Sequence, residues 1–265
     1  MHASLAVAYS YDRYLNKPKN FNRSLEECYH WSQSTEYFNQ RLREPIGAKD
    51  RDPIWGTAAA LAILSFSSPD AKKPEESWPL KVSKEADLNW LRMSKGKNSL
   101  WNMVNPLRED SIFNIMTEAF TQMFSPLPEM GTEGIPGNLI DICQLDDSST
   151  AESNPYFCAA HSVSRLLDIP DDEMSTGNTQ IFTMSLHAAF EELLRRRDPV
   201  ALLLLYLWYC KAGRSIWWIG LRARVESPSI CAYLQIYHKD NSQIQAVLTG
   251  GGSAFKIATD KILTS

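Results

Sequence analysis

The amino-acid sequence predicts an all-α fold, a single compact domain of many helices built around one central apolar helix. Three observations carry this prediction. Apolar residues recur at helical spacing along most of the chain. Several predicted helix starts combine a capping side chain with a following proline, which fits the first helical position. Alternation of apolar and polar residues, the pattern of a half-buried strand, is nearly absent.

Periodicity and capping signals place the helices in chain order. Ser24 and Glu27 form a capping box, and Asp198 precedes Pro199 as Ser227 precedes Pro228. The predicted helices cover residues 2–15, 24–43, 53–67, 84–103, 111–125, 155–168, 178–197, 199–211, 215–226 and 228–239.

The helix predicted at 199–211 is apolar on every side, which places it at the centre of the fold. It is shorter than the ~20 residues that span a bilayer, so no membrane span is expected. The segment 125–155 is rich in proline, glycine and acidic residues. This composition predicts a long surface crossover loop inside the single domain 1–265.

Charge and cysteine content limit the function classes. The net charge is −4, and an acidic chain lacks the basic surface that holds phosphate backbones. Direct nucleic-acid binding by this chain is therefore not expected. The five cysteines are scattered and form no C-x-x-C pair, which predicts reduced thiols and excludes a zinc cluster within this sequence.

No complete catalytic or metal-binding motif is present. Cys158 and His161 lie one helical turn apart, but catalysis also needs an oriented base and an oxyanion site, so a structural role is favoured. The acidic pairs at 146–147 and 171–172 lack the third carboxylate of a magnesium-binding D-D-x-x-D motif. We therefore expect no metal, no cofactor and no enzymatic activity.

An ordered series of motifs extends over nearly the whole chain. It includes D-P-I-W-G-T-A-A-A-L at 52–61, E-S-W-P-L-K at 76–81, D-L-N-W-L at 87–91, G-K at 96–97, G-I-P at 134–136, N-P-Y at 154–156, the aliphatic run 202–208, W-W at 217–218, R-A-R at 222–224 and G-G-G at 250–252. In this order the motifs resemble the C-terminal effector domain of fungal zinc-cluster transcription factors, in the branch of the sterol uptake control proteins.

The resemblance implies an all-α regulatory domain that senses a sterol-like lipid of the ergosterol type. It also implies control of a DNA-binding module, a homodimeric regulator, and a location in the nucleus, the cytoplasm or both. The alternative from another class is a ligand-free helical scaffold for dimerisation or co-regulator contact. A third hypothesis, an enzyme acting on an isoprenoid substrate, is less favoured because the metal ligands are missing.

Abundant aromatic and aliphatic residues near the central helix predict an apolar ligand pocket. The candidate wall residues are Phe182, Leu186, Phe190, Leu204, Trp208, Trp217 and Leu221. Glycine permits close approach of the backbone, which suits either a flexible C-terminal connection or a loop that closes over an apolar ligand. The resemblance favours the second, so Gly250, Gly251 and Gly252 are predicted to cover the mouth of the pocket.

Overall fold

The computed structural model describes residues 1–16, 22–69, 71–84 and 86–250, and it confirms the all-α fold class. The helices are α1 (His2–Asn16), α2 (Leu25–Arg41), α3 (Arg51–Phe66), α4 (Asn89–Val104), α5 (Thr117–Met123), α6 (Gly137–Cys143), α7 (Phe157–Leu167), α8 (Thr176–Ser185), α9 (Ala188–Arg195), α10 (Pro199–Ser215), α11 (Trp217–Tyr237) and α12 (Ser242–Leu248). Short 3-10 helices cover Ala48–Asp50, Pro74–Glu76 and Asn114–Met116. Within the described ranges, no β-sheet forms.

The chain divides into two compact units. The first unit comprises Met1–Asp70 and Ala86–Phe120, and the second comprises Ala71–Glu85 and Thr121–Ser265. The organisation as one domain around one core stays a prediction.

The first unit packs α1 against α2 and α3, and α3 against α4. One apolar cluster of this unit contains Ala6, Leu61 and Leu64, against which Trp31 and Phe38 pack. A second cluster joins three rings edge to face: Trp55 and Trp101 have centroids 5.2 Å apart, and Trp101 and Phe120 have centroids 4.9 Å apart. These large rings anchor α4 on α3.

In the second unit, α10 is buried along most of its length. Every residue from Ala201 to Cys210 is buried, and α7, α8, α9, α11 and α12 all contact this helix. Its start is the one that the sequence predicts, because the Asp198 side chain accepts hydrogen bonds from the amides of Val200 and Ala201, at 3.0 and 2.9 Å.

The pairing of α10 with α11 depends on a glycine. A Cβ atom at Gly213 would lie 2.8 Å from the Cβ atom of Ala223, closer than two such atoms can approach. Only glycine therefore permits this spacing between the two helices.

Predicted helix boundaries are wrong at two places because tertiary packing overrides local signals. The helix predicted at 178–197 is split into α8 and α9 by Leu186 and His187, whose backbones are extended. The helices predicted at 215–226 and 228–239 form the single helix α11, which contains Pro228. Buried residues on both sides of the proline, among them Val225 and Ile230, hold the helix together across it.

Two short helices were not predicted. Helix α6 lies within the segment 125–155, and Leu139 and Cys143 on it are fully buried. Helix α12 follows α11, and the side chain of Asn241 caps it by accepting the amide hydrogen of Ile244. The segment 125–155 is therefore partly helical rather than entirely loop.

Candidate functional site

The predicted wall residues lie on four helices of the second unit and at one helix break. Phe182 is on α8, Leu186 is in the α8–α9 break, and Phe190 is on α9. Leu204 and Trp208 are on α10, while Trp217 and Leu221 are on α11. All of them are buried except Trp217, which is half-buried.

Three of these residues form one aromatic cluster, which we call the Trp208 cluster: Phe182, Phe190 and Trp208. The rings of Phe182 and Trp208 stack, with centroids 5.2 Å apart and an interplanar angle of 20°. Phe190 meets Phe182 edge to face at 6.2 Å. The indole N–H of Trp208 donates to the carbonyl of Thr179 at 2.8 Å, so the polar edge of this buried ring is satisfied.

His187, at the break between α8 and α9, is a polar residue that the sequence did not single out. Its Nδ1 atom accepts the amide hydrogen of Phe190 at 3.4 Å and so caps α9. The neutral ring then carries its proton on Nε2. That nitrogen is buried and has no hydrogen-bond partner among the described residues. It can therefore donate to an oxygen atom of a ligand.

The glycine segment begins directly after α12. This helix packs on α10, α11 and α6 through buried residues that include Ile244 and Val247. Gly250 has a φ of 74°, in the left-handed region that favours glycine. Gly251 and Gly252, which the sequence predicts as the rest of the cover, lie outside the described residues.

A polar network lies beside the cluster, between α10 and α11. The hydroxyl of Tyr209 donates to the Glu226 carboxylate at 2.6 Å, and Arg222 forms an ion pair with the same carboxylate. Burial, and secondly the Glu226 charge, raise the pKa of Tyr209 well above its ordinary value. The phenol therefore stays protonated and acts as a donor.

The Cys158 and His161 pair shows no activation of the thiol. Burial raises the pKa of Cys158, so the sulfur stays a thiol near neutral pH, whereas the reactive species is the thiolate. The Nε2 atom of His161 bonds the carbonyl of Gly131 at 3.1 Å. Burial lowers the pKa of His161, and the bond to Gly131 opposes that shift only in part.

The acidic pairs are engaged in local contacts. Asp146 accepts hydrogen bonds from Ser148 and Ser149, and Asp171 pairs with Lys211 at 2.7 Å. Among the described residues, no group of three or more histidine, cysteine or acidic side chains is arranged to hold a metal ion.

A cavity of about 420 Å³ lies in the first unit, lined by residues of α1, α2, α3 and the 3-10 helix Ala48–Asp50. None of the predicted wall residues lines it. In the described part of the chain, no helix is both long enough and apolar enough to cross a membrane.

Comparison of the chain with protein-family models, with curated proteins and with solved structures finds no match.

Proposed function

We propose that this chain is a regulatory domain that binds a sterol-like lipid in its second unit and controls a DNA-binding module of a transcription regulator. The sequence resemblance supplies the ligand class. The observation that carries the proposal is the buried Nε2–H of His187, which has no partner among the described residues. In the sequence, His187 follows the predicted wall residue Leu186 and precedes the predicted wall residue Phe190. A buried donor without a partner costs free energy, and a ligand oxygen would recover it.

The proposed binding step separates the Trp208 cluster. Phe182 and Trp208 stack directly, so a lipid that enters between α8 and α10 must replace ring contact with ligand contact. Ring contacts are thereby replaced by contacts with the apolar body of the lipid, while the lipid hydroxyl accepts a hydrogen bond from the Nε2–H of His187. Helix α12, which contacts α10, ends at Leu248, shortly before the cover that the sequence predicts at 250–252. In this proposal the cover closes over the apolar body.

The regulatory step is a population shift. A lipid that binds the separated cluster better than the stacked one biases the protein toward the separated form. Since α10 contacts α7, α8, α9, α11 and α12, a change at Trp208 reaches the helices that surround it. The response of the whole regulator to lipid would follow from this change.

The experiment is a titration of the purified protein with the fluorescent sterol dehydroergosterol. Gly251→Asp places a charge in the predicted cover, where it costs several kcal/mol beside hydrocarbon unless it escapes to water, and it should strongly weaken binding. The matched control is Gly96→Asp, because a side chain at Gly96 on α4 meets open space. This control should bind the sterol as the unmodified protein does.

A second variant tests the proposed hydrogen bond from His187 to the lipid. His187→Ser keeps an oxygen that can cap α9 but removes the ring donor. We expect sterol affinity to fall about threefold to tenfold, the usual worth of one hydrogen bond, with circular dichroism unchanged. Unchanged affinity in both Gly251→Asp and His187→Ser would remove the proposed site, and no binding by the unmodified protein would remove the sterol.

A helical dimerisation scaffold is the second candidate, favoured by exposed apolar side chains in the first unit. Ile112 is 71% exposed and Ile115 is 91% exposed, on the segment that leads into α5. Burial of such residues in a homodimer would remove them from water. Light scattering at tens of micromolar tests this: a dimer that Ile115→Glu dissociates supports the scaffold, and a monomer contradicts it.

A further inference from the structure

The cavity in the first unit lies among the N-terminal turn of α1, the second half of α2 and the first two turns of α3. Its volume of about 420 Å³ falls within the range of small-molecule sites. No residue of the proposed lipid site lines it, so a function for this cavity is independent of that proposal.

One part of the cavity wall is apolar and aromatic. Ala3 and Ile54 are 7% and 3% exposed, and the half-buried Phe38 lies beside them in the wall. The rings of His2 and Tyr37, which also line the cavity, have centroids 5.8 Å apart. The Nδ1 atom of His2 is engaged by His30 at 2.8 Å. This wall suits an apolar body that carries a ring.

The acidic and basic side chains Arg41, Glu44 and Asp50 of the cavity wall are paired with one another. Arg41 forms ion pairs with Glu44 and with Asp50, the latter at 2.5 Å. Asp50 also accepts the amide hydrogen of Gly47 at 3.1 Å. The hydrogen bond with Arg41 lowers the pKa of Asp50, and the same bond raises the pKa of Arg41, so both stay ionised near neutral pH. A charged ligand would have to disrupt these pairs, which favours an uncharged one.

Ser34 supplies a buried polar group in the cavity wall. It lines the cavity and is 3% exposed, and its hydroxyl oxygen is buried with no hydrogen-bond partner among the described residues. We propose that this cavity is a second binding site, for a small uncharged molecule with a ring-bearing apolar body and a hydroxyl or carbonyl oxygen. This oxygen pairs with Ser34 once rotation about χ1 turns its hydroxyl into the cavity.

Four probes of nearly equal shape test the ligand class by NMR titration of the full chain. They are 3-phenylpropan-1-ol, 3-phenylpropylamine, 3-phenylpropionate and propylbenzene, which differ in charge and in hydrogen-bonding capacity. The alcohol should bind most tightly, about threefold to tenfold better than the hydrocarbon, as one hydrogen bond predicts. Tightest binding by the amine or the carboxylate would overturn the proposal, as would equal binding of alcohol and hydrocarbon. If none of the four probes bound at low millimolar concentration, the proposal that the cavity is a binding site would be overturned.

Ser34→Ala links the preference to this residue. The variant should bind the alcohol about threefold to tenfold more weakly and leave propylbenzene unaffected. Its melting temperature should stay the same or rise, because an unpartnered buried hydroxyl is removed. A purely structural serine would not change the ratio of the two affinities.

The matched control is Ser164→Ala. Ser164 lies on α7 in the second unit, is 2% exposed, and has a buried hydroxyl that likewise lacks a partner among the described residues. It does not line the cavity. Loss of alcohol binding in this control, or unchanged binding in Ser34→Ala, would overturn the assignment.

Discussion

The two units each bury an arginine–glutamate pair, and the two pairs are built differently. In the first unit, Arg13 of α1 meets Glu27 of α2 through two hydrogen bonds of 3.0 Å, and both side chains are at most 6% exposed. In the second unit, Arg222 and Glu226 are one turn apart on the same helix, α11. There the Tyr209 hydroxyl, from α10, donates to this Glu226 carboxylate across the two helices.

The difference shows how each unit holds its helices together. In the first unit, a buried charged pair joins α1 to α2 directly. The second unit surrounds α10 with apolar side chains, so its ion pair stays within one helix and apolar packing joins α10 to α11. The same residue types therefore connect two helices in one case and satisfy local charge in the other.

The largest expected loss of stability follows from removing the charge of Glu27. Glu27→Gln leaves Arg13 buried without its counter-charge, and we expect the free energy of unfolding of the first unit to fall by about 3–5 kcal/mol. Urea denaturation, with hydrogen exchange of the α1 and α2 amides, measures this loss. Replacing both partners, as Arg13→Met with Glu27→Leu, should cost much less because no charge is stranded.

The control for this comparison is Glu44→Gln, which removes an exposed partner of Arg41. No measurable loss of stability is expected, since exposed pairs contribute little. If the double replacement proved as damaging as Glu27→Gln alone, side-chain shape rather than charge would explain the role of the pair.

A smaller loss of stability is expected when the hydrogen bond from Tyr209 of α10 to Glu226 of α11 is removed. Tyr209→Phe deletes the hydrogen bond to Glu226 but leaves Arg222 in place as its counter-charge. The free energy of unfolding should fall by about 1.5–3 kcal/mol, the usual contribution of a hydrogen bond to a charged group. Tyr237→Phe, which changes a residue that is 64% exposed, should have no effect on the same measurement. A loss as large as that of Glu27→Gln would erase the distinction between the two units.

The smallest effect concerns the pH dependence of the first unit. Burial raises the pKa of Asp52, but hydrogen bonds from the Ile112 amide, the Ser111 hydroxyl and Arg108 outweigh it and hold that pKa below its ordinary value. A lowered carboxyl pKa stabilises the folded state above the ordinary pKa near 4, and this stabilisation is lost as pH falls through the folded value.

Asp52→Asn should therefore cost about 1 kcal/mol at pH 7 and nothing once the pH lies below the lowered pKa. Urea unfolding from pH 7 down to about pH 2.5 measures the difference. Asp172→Asn, at an exposed position, serves as the matched control. If the free energies of unfolding of Asp52→Asn and of the unmodified protein differed by the same amount at every pH measured, the ionised Asp52 carboxylate would not be the source of the stabilisation.

The elements that the sequence predicts well are those with local causes. Asp198 and Pro199 specify the start of α10, and Asp198 caps it by accepting the amide hydrogen of Val200. Ser24 caps α2 by accepting the amide hydrogen of Glu27. The elements that it predicts badly depend on distant contacts. The pair Ser227 and Pro228 predicts a helix start, yet α11 continues through Pro228 because residues on both sides of it are buried.

The candidate site shows the same division. Phe182, Phe190 and Trp208 were predicted together from their apolar character, and the structure brings these three rings into contact. His187 was missed because capping by a histidine leaves no strong pattern in the sequence. The cavity beside Ser34 was missed because three separate helices form its walls. The role of the cluster in lipid binding stays a prediction.

Native mass spectrometry of the purified chain mixed with ergosterol tests the central claim most directly. Lipid binding in the second unit predicts a species heavier by the mass of one sterol per chain, retained in Gly96→Asp and much reduced in Gly251→Asp. A spectrum that shows only the unliganded chain, with ergosterol in large excess, would contradict the claim.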